Sequence, residues 1–181
     1  MLFADDFSDP SSGWWTGTNE LGEVRYEGGE LHLLNYTGAA FRTSSEPGLH
    51  FTDTIMEVQS RLVGGSDDNW HSHSCRVVDD NNYYSLSFSA DGYYMGMKVV
   101  GGERTNFVSP TRSGVIRQGT GATNVARLEC VGSHLRLRVN GTLLIDVTDT
   151  SLSEGDIGLG VTSLAGEYSE VAFDNLLVSA P

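Results

Sequence analysis

The 181-residue sequence predicts an all-β protein, a two-sheet antiparallel sandwich of jelly-roll type with about thirteen strands. Three observations predict this fold. Polar and apolar residues alternate along most of the chain, whereas the spacing of an amphipathic helix is almost absent. Glycine-containing turns separate the alternating runs, and no segment has the composition of a linker. No repeat of about 40 to 50 residues, the length of a propeller blade, is visible. We therefore expect one domain over residues 1–181.

The first long strand is predicted from the run TIMEVQSRLV, which starts at Thr54. Successive side chains of a strand point to opposite faces of the sheet. One face of this strand therefore carries Met56, Val58 and Leu62, and the other carries Glu57, Gln59 and Arg61.

The middle and the end of the chain are predicted to form hairpins. Two strands flank Asp91–Gly92, and a third follows Gly101–Gly102. Later turns are predicted at Gly132–Ser133 and at Asn140–Gly141, the strongest hairpin signal in the chain. The segments GDIGLGVTS and SEVAFDNLLVS read as the closing strands.

The charge balance limits the classes of partner. The formal net charge is -13, with 11 Lys and Arg against 24 Asp and Glu. Such a surface repels nucleic-acid phosphates and anionic membranes, so we expect no nucleic-acid partner. No run of about 18 apolar residues exists, so no membrane insertion is expected. A neutral sugar or a divalent cation is easier to accommodate.

The segment NWHSHSCRVVDD raises the question of a metal site. His71, His73 and Cys75 are two residues apart, so a strand would place all three on one face. Arg76 is out of phase with them and is expected to face solvent, because arginine is rarely buried unpaired. The three residues are therefore predicted to face the core, with a zinc site or a bulge at the sheet rim as alternatives. Cys75 and Cys130 could form one disulfide or remain two buried thiols.

The opposite face of the same region offers candidate ligand-binding side chains. Aromatic rings can stack on the apolar faces of sugars, and planar polar groups can bind hydroxyls. The phase of Arg76 places Tyr83 outward. An outward Lys98 would place Tyr94 beside it and turn Tyr93, Met95 and Met97 into the core. The candidate residues are Glu57, Gln59, Arg61, Arg76, Tyr83, Tyr94 and Lys98. The alternative is an ordinary solvated sheet face that happens to contain tyrosines.

Two tryptophans follow the first turn. One of Trp14 and Trp15 is expected to cover the edge of the core, and the other could be an exposed platform for a sugar.

Several segments together resemble the bacterial concanavalin A-like lectin and glucanase domains. They are DDFSDPSSGW, DDNNYYSLSFSADGYYMGMKVVGGE, LRLRVNGTLLIDVTDTSLSEGDIGLGV and VAFDNLLV. The chain is similar to LamG-like and sugar-hydrolase-like jelly-roll domains of secreted proteins and of the extracellular ends of serine/threonine kinases. The resemblance implies an extracytoplasmic location, secreted or at the cell surface, and a non-catalytic module that binds an oligo- or polysaccharide on a concave sheet face.

The same resemblance implies a structural calcium ion on the convex side. In such domains an aspartate of the last strand meets backbone carbonyls of the first strands. Asp174 matches the aspartate, and a carbonyl near Gly29 could supply another ligand. The alternative is that Asp174 only hydrogen-bonds the neighbouring strand.

The sequence departs from the catalytic branch of this superfamily. Family-16 glucanases carry two glutamates and one aspartate at fixed spacing on one strand, and no segment here has that spacing. Retaining glycosidases need two carboxylates about 5 Å apart, and Glu57 is the only well-placed candidate. A divergent glycoside hydrolase therefore remains an alternative, as does a structural, sensor or protein-interaction domain of a larger surface protein.

Overall fold

The computed structural model describes residues 1–39, 41–43, 49–164 and 166–181. These residues form fifteen strands. The first eight are β1 (Phe3–Asp5), β2 (Gly17–Thr18), β3 (Gly22–Glu27), β4 (Glu30–Asn35), β5 (Phe41–Thr43), β6 (Thr54–Gly65), β7 (Asn69–Asp79) and β8 (Asn82–Phe88). The others are β9 (Tyr93–Val100), β10 (Glu103–Arg112), β11 (Asn124–Val131), β12 (His134–Val139), β13 (Thr142–Thr148), β14 (Asp156–Ser163) and β15 (Ser169–Ser179). Among the described residues, no helix has the length and apolar character needed to cross a membrane.

The strands form two antiparallel sheets. The nine-stranded sheet has the order β13-β12-β11-β6-β15-β4-β3-β2, with β1 paired to β15. The six-stranded sheet has the order β10-β9-β8-β7-β14-β5. The predicted all-β sandwich is confirmed. The described strands exceed the predicted number because β1, β2 and β5 contain only two or three residues, too few for alternation to reveal.

The core lies between the two sheets. Leu31, Leu33 and Val58 point into it from the nine-stranded sheet, and Leu86 and Phe88 meet them from the six-stranded sheet. Each of these side chains is at most 1% exposed. Burial of such apolar side chains supplies the main favourable free energy of folding.

A disulfide joins the two sheets. Cys75 of β7 is bonded to Cys130 of β11, and their Cα atoms are 6.7 Å apart. Of the two states that the sequence allowed for these cysteines, the structure has the bridge. The sulfur of Cys75 is therefore not available as a metal ligand.

The turn between β12 and β13 has the predicted hairpin chemistry. Asn140 and Gly141 have φ angles of 51° and 83°. Positive φ at both central residues is what a tight hairpin turn with right-handed strand twist requires. The Asn140 side chain also donates a hydrogen bond to the carbonyl of Val115 at 2.8 Å, which ties the turn to the preceding loop.

Candidate functional site

The outer face of the six-stranded sheet carries two rows of residues that consist of glycine and serine and end in a methionine. One row consists of Gly160, Ser72, Ser87 and Met95, and the next consists of Gly158, Ser74, Ser85 and Met97, each residue paired with its neighbour in register. Glycine and serine leave the centre of this face unfilled. A cavity of about 580 Å³ results, within the range typical of small-molecule sites. We call this cavity the serine groove.

The floor of the serine groove is polar. The Ser87 hydroxyl donates to that of Ser72 at 3.1 Å, and the hydroxyls of Ser85 and Ser87 are 3.4 Å apart. A hydroxyl group can both donate and accept, and its hydrogen can rotate to suit a partner. Ser74, Ser85 and Ser87 are at most 4% exposed and Ser72 is half-buried, so a ligand rich in hydroxyl groups would reach this floor mainly at Ser72.

Aromatic side chains stand at the margins of the groove. Trp15 lines it and is 37% exposed, and its ring packs edge-on against Phe41 with centroids 6.4 Å apart. Trp70 and Tyr83 line other parts of it. Trp14 is only 4% exposed, and its indole N–H donates to Asp5 at 3.0 Å. The prediction that one of the two adjacent tryptophans is buried and the other exposed is confirmed.

Arg42 crosses the sheet above a glycine. A Cβ atom on Gly158 would lie 2.8 Å from Cδ of Arg42, so the close approach depends on the missing side chain. The guanidinium stacks on the ring of Tyr83, 4.1 Å from its centroid, and donates to Asp80 at 2.9 Å. Arg42 was not among the predicted site residues, although glycines at alternate positions of GDIGLGV were a signal for such an approach.

A second arginine lies on the other side of the groove. Arg104 of β10 donates from Nε to the side-chain oxygen of Asn106 at 3.1 Å, and its Nη2 is 3.8 Å from the sulfur of Met95. The charged residues among the described groove lining are Arg42, Arg104 and Asp80. Arg104 was also absent from the predicted set, because an exposed arginine has no distinctive sequence pattern.

The prediction that Tyr94 and Lys98 face outward is wrong. Lys98 pairs with Tyr84, which is fully buried, whereas Met97 pairs with Ser85 on the groove side. The Lys98 ammonium group donates to Asp149 at 2.5 Å and to Ser151 at 2.8 Å. A lysine can bury its aliphatic stem on the inner face of a sheet and still place its charged group near solvent. The charge of Lys98 was therefore no guide to which face of β9 points outward.

Asp149 is the partner that allows this inward lysine. Burial alone would raise the pKa of Asp149, but hydrogen bonds from Lys98, Tyr84 and Ser151 outweigh it and hold that pKa well below its ordinary value. The Tyr84 hydroxyl donates to Asp149 at 2.6 Å, and burial raises the pKa of Tyr84 to about 12.

The prediction that Arg76 faces solvent beside the ligand is also wrong. Arg76 is 4% exposed, has a φ angle of 50°, and lies where the register of β7 against β8 shifts after Cys75. Its guanidinium donates to the carbonyls of Thr52, Leu152 and Gly132 at 3.2, 2.9 and 2.6 Å. Three carbonyls and the nearby Asp53 carboxylate, 3.5 Å away, compensate the buried charge.

The side chains of Glu57, Gln59 and Arg61 are likewise not near the groove. Their alternation along β6 was predicted correctly, but β6 belongs to the nine-stranded sheet, so they point away from the other sheet. Glu57 is 3.7 Å from Arg127, and Arg61 donates to Glu30 at 3.1 Å. Of the seven predicted ligand-binding residues, only Tyr83 lines the groove.

His71 and His73 face the core, as predicted. Both are buried, and burial lowers the pKa of His71 to about 3 and that of His73 to about 4. Nδ1 of His73 is 3.2 Å from the carbonyl of Leu86, which can only accept, so this nitrogen carries the proton. Nδ1 of His71 lies 3.0 Å from the Ser60 hydroxyl. Each ring thus has a partner at Nδ1, a backbone carbonyl or a hydroxyl, whereas both Nε2 atoms lack a hydrogen-bond partner.

The calcium prediction concerns a bulge in β15. Asp174 follows the pair Phe173–Leu31, so it lies near the turn that contains Gly29. Burial is the main reason why the pKa of Asp174 is raised, and the carboxylates of Glu30 and Asp6 raise it further. A cation that prefers oxygen ligands would relieve this repulsion. Among the described residues these carboxylates do not form a group with the spacing of a metal site, so calcium binding stays a prediction. The Asp174 carboxylate accepts hydrogen bonds from the backbone and side-chain N–H groups of the next residue, Asn175, and not from the neighbouring strand that the alternative named.

A separate group has the spacing of a metal site. Ligand atoms of Glu27, His32 and Glu170 all lie within 4.8 Å of one another. Arg25 already donates to Glu27 at 2.8 Å and to Glu170 at 2.6 Å. Because Arg25 donates to both carboxylates and Nδ1 of His32 lies 2.7 Å from Glu170, this group is accounted for as a hydrogen-bonded ion-pair network.

A second cavity of about 540 Å³ shares Arg42 and Asp80 with the serine groove. It contains Asp156, whose pKa is raised to about 6 by burial, against hydrogen bonds from the backbone N–H groups of Ile157 and Leu49. A carboxylic acid with such a pKa could donate a proton near neutral pH.

Comparison with known proteins identifies the type of fold. No protein-family model matches the chain, and no curated protein sequence matches it. Among solved structures, it is similar to the carbohydrate-binding module CBM66 from Bacillus subtilis, with a TM-score of 0.76 and 18% identity over 93% of this chain and 96% of that one.

Two glucanase structures are also similar to it. The Bacillus licheniformis β-glucanase has a TM-score of 0.70 and 12% identity, covering 99% of this chain and 97% of its own. The GH16 protein of the Bacteroides ovatus mixed-linkage glucan locus, solved with the product G4G4G3G, has a TM-score of 0.70 and 12% identity, covering 99% of this chain and 100% of its own. These likenesses and the two antiparallel sheets confirm the predicted fold, a concanavalin A-like jelly roll.

Proposed function

We propose that the chain is a carbohydrate-binding module whose ligand lies in the serine groove. The groove itself is the observation that carries the proposal. It combines a floor of hydroxyl groups with aromatic rings at its margins, of which Trp15 is exposed, and sugars present hydroxyl edges and apolar faces that suit both. The likeness to CBM66 supports a sugar ligand, and the groove volume of about 580 Å³ favours a ligand site over a purely structural or protein-interaction domain.

The charged groups in the groove favour binding over hydrolysis. Asp80 is the single carboxylate among the described groove residues, and Arg42 already binds it. Both standard glycosidase mechanisms need two carboxylates that flank the scissile bond. A divergent hydrolase is kept as the second candidate because of Asp156 in the adjoining cavity. The raised pKa of its carboxyl group suits a general acid.

An extracytoplasmic location is part of this proposal. Disulfides persist mainly in oxidising compartments, and Cys75–Cys130 is such a bond. A secreted or surface-attached module would also meet polysaccharides there.

Binding to a glycan array, followed by isothermal titration of the best ligands, tests the proposed function. We expect the Tyr83→Ala protein to bind at least about tenfold more weakly, because a stacked ring contributes on the order of 1 kcal/mol or more and also supports Arg42. Tyr168→Ala is the matched control, since Tyr168 is 50% exposed and is not among the groove residues.

Two results would contradict the proposal. One is the absence of binding to any glycan, and the other is equal loss of affinity in the Tyr83 and Tyr168 variants. Incubation of the same ligands with the protein should release no reducing sugar. Release that disappears in the Asp156→Asn protein would instead support the hydrolase.

A further inference from the structure

The charge of the serine groove is opposite to that of the whole chain. The sequence contains 24 acidic residues against 11 Lys and Arg, whereas the described groove residues include two arginines and one aspartate. An anionic ligand would therefore meet a locally cationic site on a protein whose remaining surface repels it. Such a contrast indicates selectivity for a particular charged group and not general attraction of anions.

Arg104 has binding capacity left. Its contacts are the amide oxygen of Asn106 and the weakly accepting sulfur of Met95. Among the described residues it has no carboxylate within ion-pair distance, whereas most other arginines on the sheets do. Arginine presents five N–H groups in a planar fork that matches carboxylate and sulfate oxygens, so several donors remain for a ligand.

Arg42 is also positioned to bind an anionic group of a ligand. Its guanidinium carbon lies over the Tyr83 ring, 4.1 Å from the ring centroid, and this contact helps to hold the guanidinium in place. One of them binds Asp80, whose side chain is fully exposed at 100%. The Asp80 carboxylate can turn into solvent, where water satisfies its charge, so a ligand anion can take its place beside the largely buried Arg42.

Resting on the function proposed above, we infer that the serine groove selects glycans that carry an anionic group, a carboxylate or a sulfate. The hydroxyl floor and the aromatic margins bind the sugar ring, and Arg104 and Arg42 bind the anion. The same groove should accept the neutral parent glycan with lower affinity, because only the contacts to the arginines are lost.

A glycan array with matched pairs tests this inference. Each uronate-containing or sulfated glycan is printed beside its neutral parent, and the strongest binders are then titrated. We expect them to be anionic and to bind about tenfold or more tightly than their parents, the effect of one charge-assisted hydrogen bond. Comparison of the uronate and sulfate pairs identifies which anion is preferred.

Arginine variants locate the effect. Arg104→Gln and Arg42→Gln should each reduce the preference for the anionic glycan over its parent, and raising the NaCl concentration should reduce the wild-type preference. Arg138→Gln is the matched control, because it removes the same charge from the outer face of the nine-stranded sheet, where Arg138 lies near Glu129.

The outcomes separate this inference from the proposed function. If the strongest binders are neutral and Tyr83→Ala still weakens them, the inference is overturned and the proposed function stands. If anionic glycans bind best but neither Arg104→Gln nor Arg42→Gln changes their affinity, the inference is also overturned. If no glycan binds, both fail.

Discussion

At the scale of single residues, His71 and His73 make stability depend on pH. Both imidazoles are neutral in the folded protein down to about pH 4, because burial lowers the pKa of each. In the unfolded chain their pKa is near 6.5, so below that pH the unfolded state binds more protons than the folded state. Stability should therefore fall as pH decreases from about 7 to 5, by roughly 2 kcal/mol for each histidine. Urea unfolding at the two pH values measures this loss.

His73→Leu separates the histidine contribution from that of other groups. At pH 7 the variant should be nearly as stable as the wild type. The leucine loses the Nδ1 hydrogen bond to the Leu86 carbonyl, but it also removes the unpaired Nε2 atom and keeps an apolar contact with Phe88. Between pH 7 and 5 it should lose roughly 2 kcal/mol less than the wild type. An equal loss in both proteins would show that His73 titrates normally in the folded state.

At the scale of elements, the bulge in β15 carries the calcium prediction. If the ion binds beside Asp174, calcium should raise the melting temperature of the wild type relative to EDTA. The free energy of unfolding should increase by about 2.7 kcal/mol when calcium is at 100 times its Kd. Asp174→Asn should remove this response, whereas Asp67→Asn, in an exposed loop, should keep it. Equal wild-type melting temperatures with calcium and with EDTA would refute the site.

The behaviour of single strands explains which site residues were predictable. Alternation gave the correct faces for β7 up to Cys75 and for β8, so Tyr83 and its neighbouring serines were placed correctly. It failed for β9, because the residue used to set the phase, Lys98, reaches Asp149 from the inner face. Alternation could not show to which sheet β6 belongs, since it gives the two faces of a strand but not its neighbouring strands.

At the scale of the whole molecule, the Cys75–Cys130 bridge ties the two sheets together. It closes a loop with a sequence separation of 55, which by the chain-entropy relation stabilises the fold by about 4 kcal/mol. The double variant Cys75→Ala/Cys130→Ala should therefore unfold at a lower urea concentration, with an unfolding free energy lower by about that amount. Wild type treated with reductant should approach the variant, and equal stability of all three would contradict a native bridge.

The fold as a whole was more predictable than the site. Sheet architecture depends on many alternating residues and turns, and errors in a few of them do not change it. The serine groove instead depends on the lateral register of three strands, which brings Gly160, Ser72 and Ser87 into one row. That register is set by long-range pairing, so small residues far apart in sequence could not be recognised as one floor.

The alternation of β7 and β8 has a consequence for how such a protein can evolve. On β7, the side chains of His71 and His73 point into the core, whereas those of Ser72 and Ser74 lie on the opposite face of the same strand and line the groove. If the groove binds a ligand as proposed, substitutions at groove positions should alter ligand preference while the apolar packing stays intact. Domains with 12% to 18% identity to this chain, a sugar-binding module and glucanases among them, can thus retain one architecture while their exposed faces diverge.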